Sequence, residues 1–164
     1  ETWMQINKAS VAAGGDDYGT FNSRSNAART SQGRCTFAIY EGTSDYGEIV
    51  ICDGVNEPFL FQMTGTAGLS SRTFFAKEIT VSSTVGPAIA VIHDKHLVVA
   101  GDASSKNTVY YSGTNDIDSF SSSGSGSVVI SDAVVGLASF RGDLIIFCKN
   151  IINKLVCTCA NYNN

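Results

Sequence analysis

Apolar residues along this chain fall in short runs, each closed by Gly, Pro, Asn, Asp or Ser. CTFAIY from Cys35, GEIVIC from Gly47 and PFLFQM from Pro58 come first. Runs of this length between turn formers predict β-strands. A Gly/Ser/Thr-rich stretch then leads through FFAKEITV to AIAVIH from Ala88, LVVAG from Leu97 and TVYYS from Thr108, with DKH and DASSKN as turns. Beyond the serine-rich SFSSSGSGS stretch lie VVIS from Val128, VVGLASF from Val134, LIIFC from Leu144 and IINKLVC from Ile151, turned at RGD and KN. The pattern predicts three antiparallel meanders over residues 35–64, 74–112 and 127–159.

The meanders repeat. Their middle strands EIVIC, LVVAG and LIIFC begin at Glu48, Leu97 and Leu144, which are 49 and 47 residues apart (97 − 48 and 144 − 97). A period in the high forties suits one four-stranded blade of a β-propeller. Each middle strand is apolar at consecutive positions, which predicts burial on both faces, as for a blade held between two neighbours. A sandwich with one wet face would alternate instead. The expected fold class is therefore all-β, built of repeated four-stranded antiparallel meanders, β-propeller-like, with about three blades. Propellers typically close with about four to eight blades. A row of three leaves apolar faces bare at both ends, to be completed by more of the same polypeptide, further copies or a different chain.

Composition supports the strand reading: 16 Gly, nine Phe, six Tyr and only 16% charged residues, without a helix-forming Ala/Glu/Lys/Leu stretch. At 164 residues the chain is sized for one domain. Residues 1–34 read differently, as an N-terminal arm or loop, because Ala9 to Gly33 is rich in Ser, Asn, Ala and Gly and carries GGDDYG with Arg24, Arg29 and Arg34. A net charge of −4 gives no broad positive field for polyphosphate, so no nucleic-acid specificity is expected. No apolar run approaches the roughly 18 residues of a membrane span. No basic-then-apolar leader opens the sequence, and a start at Glu1 suits a processed or trimmed segment. Of the five cysteines, Cys52 and Cys148 lie in apolar runs and Cys35 precedes one. An odd count with thiols in apolar runs points to reduced chemistry. Cys157 and Cys159 share one face of a strand and make a poor metal clamp without partners.

Several motifs invite a chemical reading, and each has a structural one beside it. His93 and His96 flank a turn and could approach a metal with Asp94 or Asp102, but spacing fixes no third ligand. TSDYGEI from Thr43 partly resembles the Asp-box turn of sialidase-like propellers. The aromatic and Thr expected after the Gly are absent, and Asp45 and Gly47 read as turn residues. Asp16, Asp17, Asp45, Glu48 and Asp53 could supply the acid pair of glycoside chemistry, although acidic residues are also common in turns. Arg141-Gly142-Asp143 spells an adhesive tripeptide at a position where a hairpin favours Gly and Asp for backbone reasons. No phosphate loop, nucleophile setting or paired CxxC is present. No catalytic, cofactor-binding or metal-binding residue is assigned, and the chain is not expected to be an enzyme.

HDKHLVVAGDASSKNTVYYSGTNDIDSF, from His93 to Phe120, and VVGLASFRGDLIIFCKNIINKL, from Val134 to Leu155, resemble the blades of propeller-like hub or nozzle proteins in the tails of bacteriophages. The matching positions are Leu97 to Gly101, Val109 to Ser112, and Asp118 with Phe120; the second stretch keeps FRGDLIIF and replaces YYS with INKL. The resemblance implies a structural role in the virion, assembled in the host cytoplasm, with other tail proteins or further copies of the chain as partners. It carries over no catalytic residue. Independently of it, Tyr110 and Tyr111 should point to opposite faces of one strand, and Phe120 should fold back as an apolar anchor. Two alternatives remain open. One is a carbohydrate-binding or adhesive module, in which Tyr18, Tyr40, Tyr46, Tyr110 or Tyr111 would stack on sugar. The other is a sialidase-like hydrolase, whose nearest arginine candidates, Arg24, Arg29 and Arg34, lie in the arm.

Overall fold

The computed structural model of the protein describes residues 35–41, 47–64, 73–81 and 86–156. The expected arm over 1–34, with Asp16, Asp17, Tyr18 and its three arginines, lies outside the described residues. So do Asp45 and Tyr46 of the Asp-box-like turn, and Cys157 and Cys159.

The described residues are all β, without a helix. They form β1 (Thr36–Tyr40), β2 (Glu48–Cys52), β3 (Phe59–Thr64), β4 (Thr73–Glu78), β5 (Ile89–His93), β6 (His96–Ala100), β7 (Thr108–Tyr111), β8 (Gly126–Val129), β9 (Val134–Phe140), β10 (Asp143–Cys148) and β11 (Ile152–Leu155). Three antiparallel meanders result, ordered β1-β2-β3-β4, β5-β6-β7-β8 and β9-β10-β11, and they are not closed into a ring or barrel.

Two strands belong elsewhere than the sequence pattern placed them. FFAKE, expected to open the second meander, pairs as β4 with β3, Phe61 opposite Ala76 and Phe59 opposite Glu78. VVIS, expected to open the third, contributes to β8 beside β7, Val109 opposite Val128. The Gly/Ser/Thr-rich and serine-rich stretches therefore connect strands within a sheet. The chain passes from sheet to sheet through the links 79–88 and 130–133 instead.

Turn chemistry sets the tight hairpins. Asp94 and Lys95 between β5 and β6 have φ of 44° and 64°, and Arg141 and Gly142 between β9 and β10 have 52° and 83°. Two successive left-handed residues match the twist of flanking strands, which is why such turns join two-residue hairpins. In β9 the register slips by one, with Gly136 opposite Phe147 but Val134 opposite Cys148, leaving Val135 as a bulge.

The three sheets stack as layers. Ala38, Tyr40, Val50, Cys52 and Leu60 of the first sheet meet Leu97 and Val99 of the second, with Ala90, Ile92, Tyr110 and Phe120 against them. The other face of the second sheet, Val98, Ala100 and Val109 with Val91 and Tyr111, meets Leu144, Ile146 and Cys148 of the third. Tyr110 and Tyr111 thus enter opposite layers, and Phe120 anchors the loop that follows them, as the sequence led one to expect. Between sheets the closest approach is at their first strands, β1 against β5 and β5 against β9.

Backbone contacts tie each sheet to the lead-in of the next. Gly54 N–H donates to Pro87 O (3.0 Å), and Val134 N–H and Ile130 N–H donate to Lys106 O and Asn107 O (2.8 Å each). Thr36 Oγ1 donates to Ala88 O at 2.9 Å, and Asp102 accepts from Gly86 N–H at 3.1 Å. Within the second sheet, the fully buried Ser112 hydroxyl accepts from Leu97 N–H (2.9 Å) and donates to Gly113 O (3.0 Å), so the ladder continues past the end of β7 without an orphaned amide.

Cys52 carries a titration consequence. Burial, reinforced by Asp53 and then Cys35, pushes its thiol from 9.0 up to about 12. In the unfolded chain the thiol ionises above about pH 9, while the folded protein keeps the proton. The associated stability is therefore complete below that pH and declines between pH 9 and 12, at up to about 1.4 kcal/mol per pH unit from this one group. Urea unfolding across this range should show a steeper alkaline loss for the native protein than for Cys52→Ala, and parallel curves would contradict the assignment.

Candidate functional site

The chemically suggestive residues do not converge. His93 and His96 face each other across the β5-β6 hairpin. Buried His93 contacts Ser139 Oγ of the third sheet through Nδ1 at 2.9 Å. His96 Nδ1 donates to Ser112 O at 2.6 Å, its Nε2 lies 3.2 Å from Thr114 Oγ1, and its ring meets Tyr111 edge-on. Both imidazoles are thus engaged in the frame, and His93 Nε2 is buried with no hydrogen-bond partner among the described residues. Asp94 is exposed on the turn, whereas Asp102 is buried and accepts from Gly86 N–H, Ser104 N–H and Ser104 Oγ. Among the described residues no group of three His, Cys, Asp or Glu is arranged to hold a metal.

Of the acid-pair candidates, Glu48 opens β2 and Asp53 follows its far end. Asp53 accepts from Val55 N–H at 3.0 Å and Asn56 N–H at 2.8 Å, which makes it the organiser of the β2-β3 loop. Sequence reading overlooked its counterpart Asp132, which accepts from Ala133 N–H and Asn150 N–H at 2.7 Å each. The Asn150 amide, then that of Ala133, hold its carboxyl below the usual range. An Asp within a Ser-Asp-Ala break between apolar runs was the available signal.

The adhesive-looking tripeptide is divided by its hairpin. Arg141 and Gly142 form the exposed tip, with the guanidinium 5.4 Å from the Phe140 ring, while Asp143 starts β10 and pairs with Lys154 at 2.7 Å. Three of the five tyrosines proposed for sugar stacking also have structural places: Tyr40 is buried, and Tyr110 and Tyr111 are half-buried between sheets.

What the molecule does present is two apolar end faces. On the first sheet the register puts Phe37, Ile51 and Phe59 in one row and Ile39, Ile49 and Phe61 in the next, all directed away from the second sheet. Phe37 is 63% exposed and Ile39 65%. On the third sheet Phe147 lies opposite Ile152, and Ile145 opposite Lys154, again facing away from the stack. Ile152 is 69% exposed and Phe147 39%. These faces correct an expectation: EIVIC and LIIFC are buried on one face only, and of the three middle strands LVVA alone is covered on both. Among the described residues, only the second sheet has a neighbour on each side.

The bare faces are of two kinds. In the structure β2, β6 and β10 begin at Glu48, His96 and Asp143, so the repeat steps by 48 and then 47 residues (96 − 48 and 143 − 96), one fewer at the first step than the sequence pattern indicated; it matches Val50 to Val98 and Ile145, and Ile49 to Leu97 and Leu144. Val50 faces the second sheet and Val98 the third, so Ile145 belongs to the kind of face that packs onto a following sheet. Leu97 and Leu144 each receive a preceding sheet, so Ile49 belongs to the receiving kind.

The fold and this site define a row of three antiparallel sheets with a donor-type face at one end and a receptor-type face at the other. Comparison with known protein families, curated proteins and solved structures finds no match. Among the described residues no helix is long and apolar enough to cross a membrane.

Proposed function

We propose that the protein is an assembly module, a structural component of a virion tail, whose sheets act as blades of a β-propeller-like ring completed through protein-protein contacts. The observation that carries this reading is the pair of exposed apolar end faces, which have the same kinds of side chain as the faces packed inside the stack. Contiguous apolar surface of this sort marks an interaction site. The first strands β1, β5 and β9 lie next to one another, the arrangement expected of strands around a common axis. The virion context is supported by the resemblance of His93 to Phe120 and Val134 to Leu155 to tail-protein blades. In this role the chain works by contact and not by catalysis, and the ordered Asp-centred loops hold the sheets for packing.

The test is to purify tailed particles from the source that encodes the chain and to combine quantitative mass spectrometry with hydroxyl-radical footprinting. A fixed copy number per particle, with Phe37 and Phe147 protected relative to the isolated chain, is the expected result. Absence from particles, or equal labelling of both rings in and out of them, would overturn the reading.

A further inference from the structure

We propose that the partner across the end faces is a second copy of this chain, the β9-β11 sheet of each copy packing on the β1-β4 sheet of the other to close a two-fold ring of six sheets. The proposal rests on the assembly reading above and names its partner.

The molecule supplies the template for the seam. At each of its two internal layers, a face of the Val50 and Val98 kind lies on a face of the Leu97 and Leu144 kind. The uncovered face of the third sheet, at Ile145 and Phe147, continues the first kind, and that of the first sheet, at Ile49 and Ile51, continues the second. A second copy brought end to end therefore repeats an interface already present twice, whereas two like faces brought together would not. Charge fits the same pairing. The Phe37, Ile39, Ile49 and Ile51 surface over β1 and β2 bears no charge; on the opposite surface Asp143 and Lys154 neutralise each other at 2.7 Å, and Arg141 lies at its rim over the Phe140 ring.

Closure selects the copy number. A head-to-tail contact forms a ring when its rotation closes and a filament when it does not. Propellers close with about four to eight sheets. The described residues of one copy contribute three sheets, so one such set falls short and three overshoot. Two copies fall within the range, and a pair satisfies both end faces of each chain with identical contacts.

Sedimentation equilibrium of the full chain tests this. The expected mass is twice 17.3 kDa. Ile49→Lys and Phe147→Glu, on opposite end faces, should each abolish the dimer while leaving the β-sheet circular dichroism unchanged. Mixing the two variants should restore a dimer, because one of its seams is then native on both sides. Phe37→Lys and Ile152→Glu, both at well-exposed positions, repeat the comparison should either first variant fold poorly. A dimer sensitive at only one face would indicate like-to-like packing and overturn the ring, as would open filaments. A folded monomer that enters particles overturns the second copy as partner but leaves the assembly role standing; a folded monomer absent from particles overturns both.

Discussion

Leu97→Ala is expected to cost about 2–5 kcal/mol in equilibrium unfolding, against about 1 kcal/mol for Ile49→Ala one repeat earlier. The two positions are equivalent in the repeat but not in their surroundings. Leu97 is wholly buried in β6, against Ala38, Tyr40, Val50 and Leu60 of the first sheet. Removing its side chain forfeits the transfer free energy and leaves a cavity between two layers that cannot collapse independently. Ile49 is 36% exposed on a face that no other described sheet covers, so truncation leaves a dent open to water. Since a domain of this size holds about 5–15 kcal/mol in total, Leu97→Ala removes a large share of it. Equal costs at the two positions, measured on dilute chain by urea titration, would mean that the first sheet is already covered. The cost at Ile49 should rise with protein concentration once the end faces are paired.

Gly86→Ala should destabilise the protein by about 2–3 kcal/mol, through overpacking where neither side can yield. A Cβ on Gly86 would stand 2.6 Å from both the carbonyl carbon and oxygen of Val55 and 3.0 Å from its Cα, all backbone atoms. Moving the link outward would strain the Gly86 N–H to Asp102 bond and the neighbouring Gly54 N–H to Pro87 O bond, which together tie the first two sheets. Gly142→Ala is the matched control. That glycine has φ of 83° but nothing within 4 Å, so only the left-handed backbone penalty of roughly 1–2 kcal/mol applies. Thermal melts should rank Gly86→Ala well below Gly142→Ala, and the reverse order would deny that the link is a close-packed joint.

These contrasts show where sequence was informative. The turn pairs and the strand cores were legible, and the repeat to within one residue, since the middle strands begin at Glu48, His96 and Asp143; hydrophobic runs and turn residues act locally. Strand membership was not. Thr73–Glu78 follows a Gly/Ser/Thr-rich stretch, and Gly126–Val129 a serine-rich one, and composition cannot say whether a loop returns to its own sheet or leaves it. The actual sheet-to-sheet link over 79–88 ends at Gly86-Pro87-Ala88, and the role of that end depends on contact with Val55 far away in sequence. Exposure was also hidden. Ile49 and Phe147 look like core residues because an apolar run reads the same whether or not a layer lies over each of its faces. Bare apolar ends followed from a row of three meanders in general, while the particular residues required the register of β1, β2, β10 and β11.

The linear stacking of the sheets also governs how the fold comes apart. Each sheet interacts only with those beside it, so stability is close to a sum of individual and nearest-neighbour contributions. Opening an end sheet forfeits one neighbour contribution, and opening the middle sheet forfeits both. Fraying should therefore run inward from the ends, with the amides of Leu97 to Ala100 the last to exchange. Joining the ends would remove the starting points altogether, since in a cycle every sheet has two neighbours, and ring closure would then act as a kinetic lock as well as a means of burying surface.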